Sequence, residues 1–232
     1  MSNPSVKLVG VTLPCGEGPK VTPEAFIAYM ARVSNPEGQQ RLETAERLLH
    51  YMVANGHWSP FDMVDMIVEI ETTRGIMPQV LRHWSFRFQE FSQRYADAPS
   101  SSFDHVEGRL KAEGGNRQGS GAIDETLTYN LKANCAKSQE SYEAYLAGGA
   151  SNETARFVLT LATPTRAYMK GSVRSWMTYF WQRLDPHCQK EHRQLAWLIF
   201  DKFEQMFPKI SALILSGKPV FTLGEWTSRD AL

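Results

Sequence analysis

With 232 residues, 42% of them hydrophobic and 22% charged, the chain has the composition of an ordinary soluble globular protein with room for a substantial core. Lys and Arg number 25, as do Asp and Glu, so net charge gives no push toward nucleic acid or an anionic membrane. No apolar run approaches the roughly 20 residues that span a bilayer, and the first ten residues lack the basic and apolar regions of a secretory leader. Cys15, Cys135 and Cys188 are scattered and form no CxxC pair, which predicts a reducing, cytoplasmic setting without a disulfide framework or a zinc site.

The chain opens with "VKLVGVTL", a predicted strand. After a Gly/Pro turn, Thr22 is placed to cap a helix with Pro23 at its first position, and Phe26, Ile27, Met30 and Val33 follow at helical spacing. Leu42, Ala45, Leu48, Leu49 and Met52 define a second helix that stops at Asn55-Gly56. Val64, Met66, Val68 and Ile70 alternate with Asp65, Glu69 and Glu71, the pattern of a half-buried strand. A short helix is expected from Thr73 through His83, with Gln79, Arg82 and His83 close together at its end. Residues 96–123, rich in Ser, Gly and Asp, read as a long irregular excursion.

Leu127, Leu131, Cys135, Ser138, Tyr142 and Tyr145 trace one stripe of a long helix, and "NETARFVLTL" (152–161) reads as another helical run. Residues 172–184 form an amphipathic segment with Trp176, Tyr179 and Phe180 on the apolar side. A last long helix spans roughly 189–207 and ends before Pro208. There is no repeat and no dividing linker. Residues 1–232 are therefore expected to be one mixed α+β domain, helix-rich with a small central sheet.

The chemistry concentrates in "QVLRHWSFRFQEFSQRY", Gln79 to Tyr95. Arginines interleaved with aromatics can stack bases and grip phosphates, yet the chain is neutral overall and Glu90 interrupts the stripe. A solvated edge strand is the plain alternative. A nucleotide pocket accounts better for the crowding. Arg82 and Arg94 offer planar charged forks for a phosphate, Ser92 adds a hydroxyl, and Gln79 and Glu90 supply mixed donor and acceptor edges. His57 reads as a cap or loop contact. His187 and His192, five apart, fall on different helix faces and make no metal pair. Cys188 has no basic partner in the sequence, so a thiolate nucleophile is not supported. Arg156 and Arg174 read as surface residues, while Arg183, at the end of an apolar helix, stays open between surface and function.

Taken together, these residues resemble the flavin-dependent thymidylate synthase family. "RHWSFRFQEFS" (82–92) is similar to its signature of Arg-His-Arg, seven residues, then Ser. "ARVS" (31–34) and "GHWSPF" (56–61) resemble its upstream elements. "ARFVL" (155–159), "SVRSWMTYFWQRL" (172–184) and Pro186-His187 follow in the family's order. The resemblance covers most of the chain, from about 31 to about 207.

It implies that family's fold and its chemistry: C5 methylation of dUMP to dTMP without an enzyme cysteine. Methylenetetrahydrofolate gives the carbon, and FAD reduced by NADPH supplies hydride. It also implies a homotetramer with sites assembled from several subunits. Position by position, Gln79, Arg82, Glu90, Ser92, Gln93, Arg94 and Arg156 would hold dUMP. Arg183 would contact the uracil edge and stabilise its developing negative charge. Ser34, Ser59, Arg82, His83, Trp84, Glu90, Ser172, Arg174, Thr178 and His187 would form the FAD side.

The chain departs from the family pattern on the flavin side. Trp84 stands where an arginine is usual, with Arg87 three residues on as the replacement charge. Ser172 and Thr178 stand where Asn or His is common, and Thr160 replaces a common proline. The same chemistry on UMP, and a binding module without catalysis, are the competing expectations.

Overall fold

The structure is a computed structural model that describes residues 4–16, 18–112 and 119–217. The chain runs through β1 (Ser5–Val11), α1 (Pro23–Ala31), α2 (Pro36–Gln39), α3 (Ala45–Ala54), β2 (Asp65–Thr73), α4 (Met77–Leu81) and β3 (Arg87–Glu90). It continues with β4 (Arg109–Lys111), β5 (Ser120–Ile123), α5 (Glu125–Ala147), α6 (Asn152–Ala155), β6 (Pro164–Ser172), α7 (Val173–Arg183), α8 (Lys190–Met206) and α9 (Pro208–Leu215). The expected α+β build with a small central sheet is what the chain adopts.

That sheet is antiparallel throughout, in the order β1-β2-β6-β3. β2 alternates as its sequence predicts: Met66, Val68 and Ile70 are fully buried. β6 places Ala167 and Met169 on the same inner face. Helices α7 and α8 cover it with Trp176, Phe180, Leu195, Ile199 and Phe203, all fully buried. α1, α3 and α9 extend this core, and the outer face of the sheet carries the Lys7–Glu69 pair.

Several helix starts follow from local chemistry. Thr22 Oγ1 accepts from the Ala25 N–H as α1 begins, and Asp124 does the same for Leu127 at the start of α5. Gly56, with φ of 68°, supplies the left-handed turn just past the end of α3.

Three expectations change. The helix expected over 73–83 is only Met77–Leu81, because β2 runs on to pair Thr73 with Pro164. The run 152–161 stays helical only to Ala155, then makes a 3₁₀ turn (Arg156–Val158) and extends at Leu159. The excursion 96–123 contains the β4–β5 hairpin, although residues 113–118 lie outside the described residues. Residues 218–232 of the expected 1–232 domain also lie outside them.

Candidate active site

A cleft of about 740 Å³ opens beside the β3 edge of the sheet. Its walls are the turn that follows α4, the facing ends of β3 and β6, and one face of α7. The turn, Arg82 to Ser85, is seated by Phe86. That ring is buried and packs edge-on against Trp176, with centroids 4.6 Å apart. It lies against Gly171, where a Cβ would come within 2.5 Å of the ring. Only glycine leaves that space, so Gly171 sets how deeply the turn can sit.

On α7 the apolar and polar stripes separate by helical spacing. Trp176, Met177, Tyr179 and Phe180 point into the core, while Arg174, Thr178 and Gln182, four residues apart, face the cleft. Ser172 caps the helix, accepting from the Ser175 N–H at 3.3 Å, and donates to Asp62 Oδ1 at 2.8 Å. The other oxygen of Asp62 meets Arg174 Nη1 at 3.0 Å.

The charges in this cleft do not balance. Arg82, Arg87, Lys170, Arg174 and Arg183 line it, against Asp62 and Asp65. Asp62 is taken by Arg174, and Asp65 by Lys170 at 2.6 Å. Arg82, Arg87 and Arg183 have no carboxylate partner among the described residues. Three fixed guanidinium groups facing open space suit a ligand rich in negative charge. Trp84, 87% exposed, stands at the rim beside them.

Arg183 is held by a base. Its Nε donates to His83 Nε2 at 2.9 Å. Since arginine can only donate, that nitrogen accepts, and His83 is the neutral Nδ1–H tautomer. Burial, reinforced by the neighbouring Arg183 charge, lowers the His83 pKa to about 4. The imidazole lies edge-on to the ring of Tyr179 at 4.9 Å. Arg183 thus engages His83 through its Nε, while its terminal nitrogens have no partner among the described residues.

Several residues expected on the nucleotide side gather elsewhere. Gln93 and Arg156 line a second opening of about 370 Å³ together with Arg74, Phe157, Leu159, Thr160 and Leu161. Glu90 reaches toward it, bonded to Arg74 and to the Thr165 hydroxyl at 3.0 Å. Gln93 is 6% exposed, yet its Nε2 has no partner among the described residues, a buried donor in the wall of an open pocket. Arg94 makes only a loose contact of 3.5 Å with Glu153, and Ser92 Oγ accepts from the Arg94 N–H at 3.4 Å.

The expected residues therefore divide. Arg82, His83, Trp84, Ser172, Arg174, Thr178 and Arg183 share the first cleft, and Gln93 and Arg156 the second, with Glu90 at its side. Gln79 lies beneath the first, bonded to Gln189 at 2.6 Å. Ser34 and Ser59 are exposed and His187 pairs with Asp185 at 2.8 Å; none of these three lines either cleft.

Sequence reasoning passed over Arg74, Asp62, Lys170 and Gln182. Asp62 directly follows "GHWSPF", so proximity to Ser59 was a usable signal. Lys170 and Arg74 acquire meaning only through the β6 pairing. No cysteine of this chain lines either cleft.

A small sheet backed by helices, with unpaired arginines gathered at its edge, is the build of a protein that takes a phosphorylated ligand. The family described as "Thymidylate synthase complementing protein" (Thy1) matches residues 20–209. A flavin-dependent thymidylate synthase from Synechocystis sp. is 44% identical over 216 residues, covering 90% of this chain and 98% of that protein. A probable flavin-dependent thymidylate synthase from Paramecium bursaria Chlorella virus 1 is 43% identical over 212 residues, covering 89% and 97%. The chain belongs to the flavin-dependent thymidylate synthase family. Its fold is also that of a UMP/dUMP methylase, PolB, from Streptomyces cacaoi, crystallised with 5-Br dUMP. That match has a TM-score of 0.76 at 18% identity over 95% of this chain and 98% of the other.

Proposed function

We propose that this chain is an FAD-dependent thymidylate synthase, converting dUMP to dTMP with methylenetetrahydrofolate as carbon donor and NADPH as reductant. One observation carries the reading. Arg183 is oriented by a neutral histidine in a cleft whose three unpaired arginines call for a polyanion. Bound FAD would supply the hydride chemistry. The residues present fit it: Arg82 and Arg87 for its phosphates, the exposed Trp84 ring for stacking, and Arg174, Thr178 and Ser172 for polar contacts.

In this reading Arg183 holds the uracil edge and stabilises the negative charge that develops there, without reorganisation, because His83 fixes its Nε. Gln79 and Arg82 would contact the same nucleotide. Glu90, Ser92, Gln93, Arg94 and Arg156 bind the nucleotide as a second group. Because these two groups open in different clefts of one chain, we propose that a complete site is built from two copies within a homotetramer. The unpartnered amide of Gln93 supports this, since a buried donor in an open pocket awaits a partner or ligand.

The test is an assay with FAD, NADPH, methylenetetrahydrofolate and either dUMP or UMP, followed by detection of the 5-methylated nucleotide. Methylated dUMP is the expected product. Product from UMP alone would move the assignment to the ribonucleotide. Failure to bind flavin at all would reduce the protein to a nucleotide-binding module. Among the described residues no helix is long and apolar enough to cross a membrane.

A further inference from the structure

Beside the arginine cleft a run of hydrogen bonds leads from the buried Tyr179 to Gln79 and on to Glu191. His192, on α8, is fully buried. Its Nε2 lies 3.2 Å from the Tyr179 hydroxyl, and its Nδ1 lies 3.4 Å from Gln79 Oε1. Gln79 Nε2 donates to Gln189 Oε1 at 2.6 Å, and Gln189 Nε2 donates to Glu191 Oε2 at 2.9 Å. Glu191 is itself ion-paired to Arg109.

The direction of every bond follows from the last acceptor. A carboxylate only accepts, so Gln189 must turn its NH₂ to Glu191 and its carbonyl to Gln79. Gln79 then donates to Gln189 and presents its own carbonyl to His192. That carbonyl needs a donor, which makes Nδ1 the protonated nitrogen of His192. The neutral ring then accepts at Nε2, and Tyr179 donates. Burial, with Arg183 and His83 adding to it, lowers the His192 pKa to about 3, so the ring is neutral at ordinary pH. At its other side the Tyr179 ring supports His83, the acceptor for Arg183.

We infer that His192 is a positioning residue for nucleotide binding: it holds the carbonyl end of the Gln79 amide, whose sense Glu191 sets, and so keeps that amide in one place along the chain from Tyr179 to Glu191. The inference rests on the reading that Gln79 holds dUMP. With one N–H engaged by Gln189 and the carbonyl by His192, Gln79 offers a ligand one remaining N–H in a set direction. A free glutamine would offer either face. One cluster, Tyr179 with the two histidines, thereby contacts both Arg183 and Gln79.

The test compares two substitutions. In His192→Gln the amide falls near the former Nε2, which keeps the Tyr179 contact and loses the one to Gln79. In His192→Asn it falls near the former Nδ1, which keeps a donor for Gln79. We expect His192→Gln to weaken dUMP binding about 5- to 10-fold and His192→Asn to restore it to within about 2-fold, the scale of one neutral hydrogen bond. FAD binding, followed by flavin absorbance, should be the same in both. Unchanged dUMP binding in His192→Gln, or equal losses in the two variants, overturns the inference.

Where neither variant folds, nitrogen NMR of the ¹⁵N-histidine-labelled wild type decides: a neutral Nδ1–H tautomer for His192 supports the chain, and an Nε2–H tautomer overturns it. Gln79→Ala separates the two levels of the argument. If it leaves dUMP binding intact, the nucleotide role of Gln79 fails. If it weakens binding while His192→Gln does not, only the role of His192 fails.

Discussion

Arg87 on β3 and Lys170 on β6 are directly opposite each other in the sheet register, two positive side chains on one face of the cleft. Like charges so placed repel. Lys170 is drawn aside by Asp65, and Arg87 is held through its Nη1 by the carbonyls of Trp84, at 3.2 Å, and Phe86, at 3.0 Å. The remaining N–H groups of Arg87 face the cleft beside Trp84. Arg87 is therefore built to meet an anion.

For Arg87→Ala we expect FAD affinity to fall about 10- to 100-fold, the scale of a lost charge-assisted contact, with riboflavin binding unaffected because it carries no phosphate. Titrations of both flavins, followed by absorbance, check this; equal losses for the two would refute a phosphate contact. Trp84→Arg should bind FAD as well as or better than the parent. A large loss would assign the indole a stacking role of its own.

Arg183 and Arg94 should separate in kinetics. If Arg183 acts on developing charge as proposed, Arg183→Ala is expected to lower kcat by about 10²- to 10³-fold. Arg94→Ala removes a ground-state contact, so dUMP binding should weaken by roughly 2–3 kcal/mol with a much smaller change in kcat. Steady-state kinetics on both variants, with direct dUMP titration, distinguish the two; unchanged turnover for Arg183→Ala would end its catalytic assignment.

The histidines predict an acid limit to stability. His83, lowered to about 4, and His192, lowered to about 3, are neutral in the folded protein but titrate near 6.5 when unfolded. Below that value the unfolded chain binds more protons than the folded one, so stability falls as pH drops from about 6.5 toward 4. For His83, partly screened by solvent, the contribution is on the order of 2 kcal/mol. Urea unfolding between pH 4.5 and 7.5 measures it, and the slope should be shallower in His83→Asn. Equal slopes in the two proteins would contradict this origin.

Glu24 is 6% exposed, and its carboxylate accepts from the Ile210 N–H at 2.8 Å in the first turn of α9. Phe207, the residue before that helix, offers no capping side chain. Burial raises the pKa of Glu24, only partly offset by bonds to the Ile210 and Lys209 backbone. Glu24→Gln keeps an acceptor and removes the buried charge, so it should be close to neutral. Glu24→Ala should lower stability by about 1–3 kcal/mol by leaving the helix end unsatisfied. Chemical denaturation of both variants would show whether the cap is what matters.

The strongly patterned elements were legible from sequence. β2, α3 and α8 each carry a clear period of apolar residues, and Thr22 and Gly56 mark ends by their own chemistry. α5 was found as a helix, but Leu127, Leu131 and Tyr145 of its expected core stripe are exposed and only Cys135 and Tyr142 of it are buried. β6 was not legible, although it forms the middle of the sheet. Its inward residues, Thr165, Ala167, Met169 and Gly171, are mostly small or weakly apolar, and its outward ones are long. The alternation exists but carries little hydrophobic contrast. α9 escaped notice because its cap, Glu24, lies 186 positions away in the sequence.

The candidate residues could be collected from the sequence but not divided between the two clefts. Spacing could not show that Arg82 and Arg183 share one cleft while Gln93 and Arg156 open into another. That division depends on β3 and β6 pairing across the sheet. The chain from Tyr179 to Glu191 was invisible for the same reason, since its members come from α4, α7, α8 and the segment that precedes α8.

Gly171 separates what this site can change from what it must keep. Phe86 occupies the space where a side chain at 171 would be, and that ring determines how far the Arg82–Ser85 turn drops into the cleft. Adding a single methyl there would lift the whole row of cations at once. Trp84, by contrast, is 87% exposed, so its identity can drift with little disturbance of the frame. A tryptophan in an arginine's place is then a change of fitting on an unaltered mount, and variation among relatives should collect at the rim while position 171 stays small.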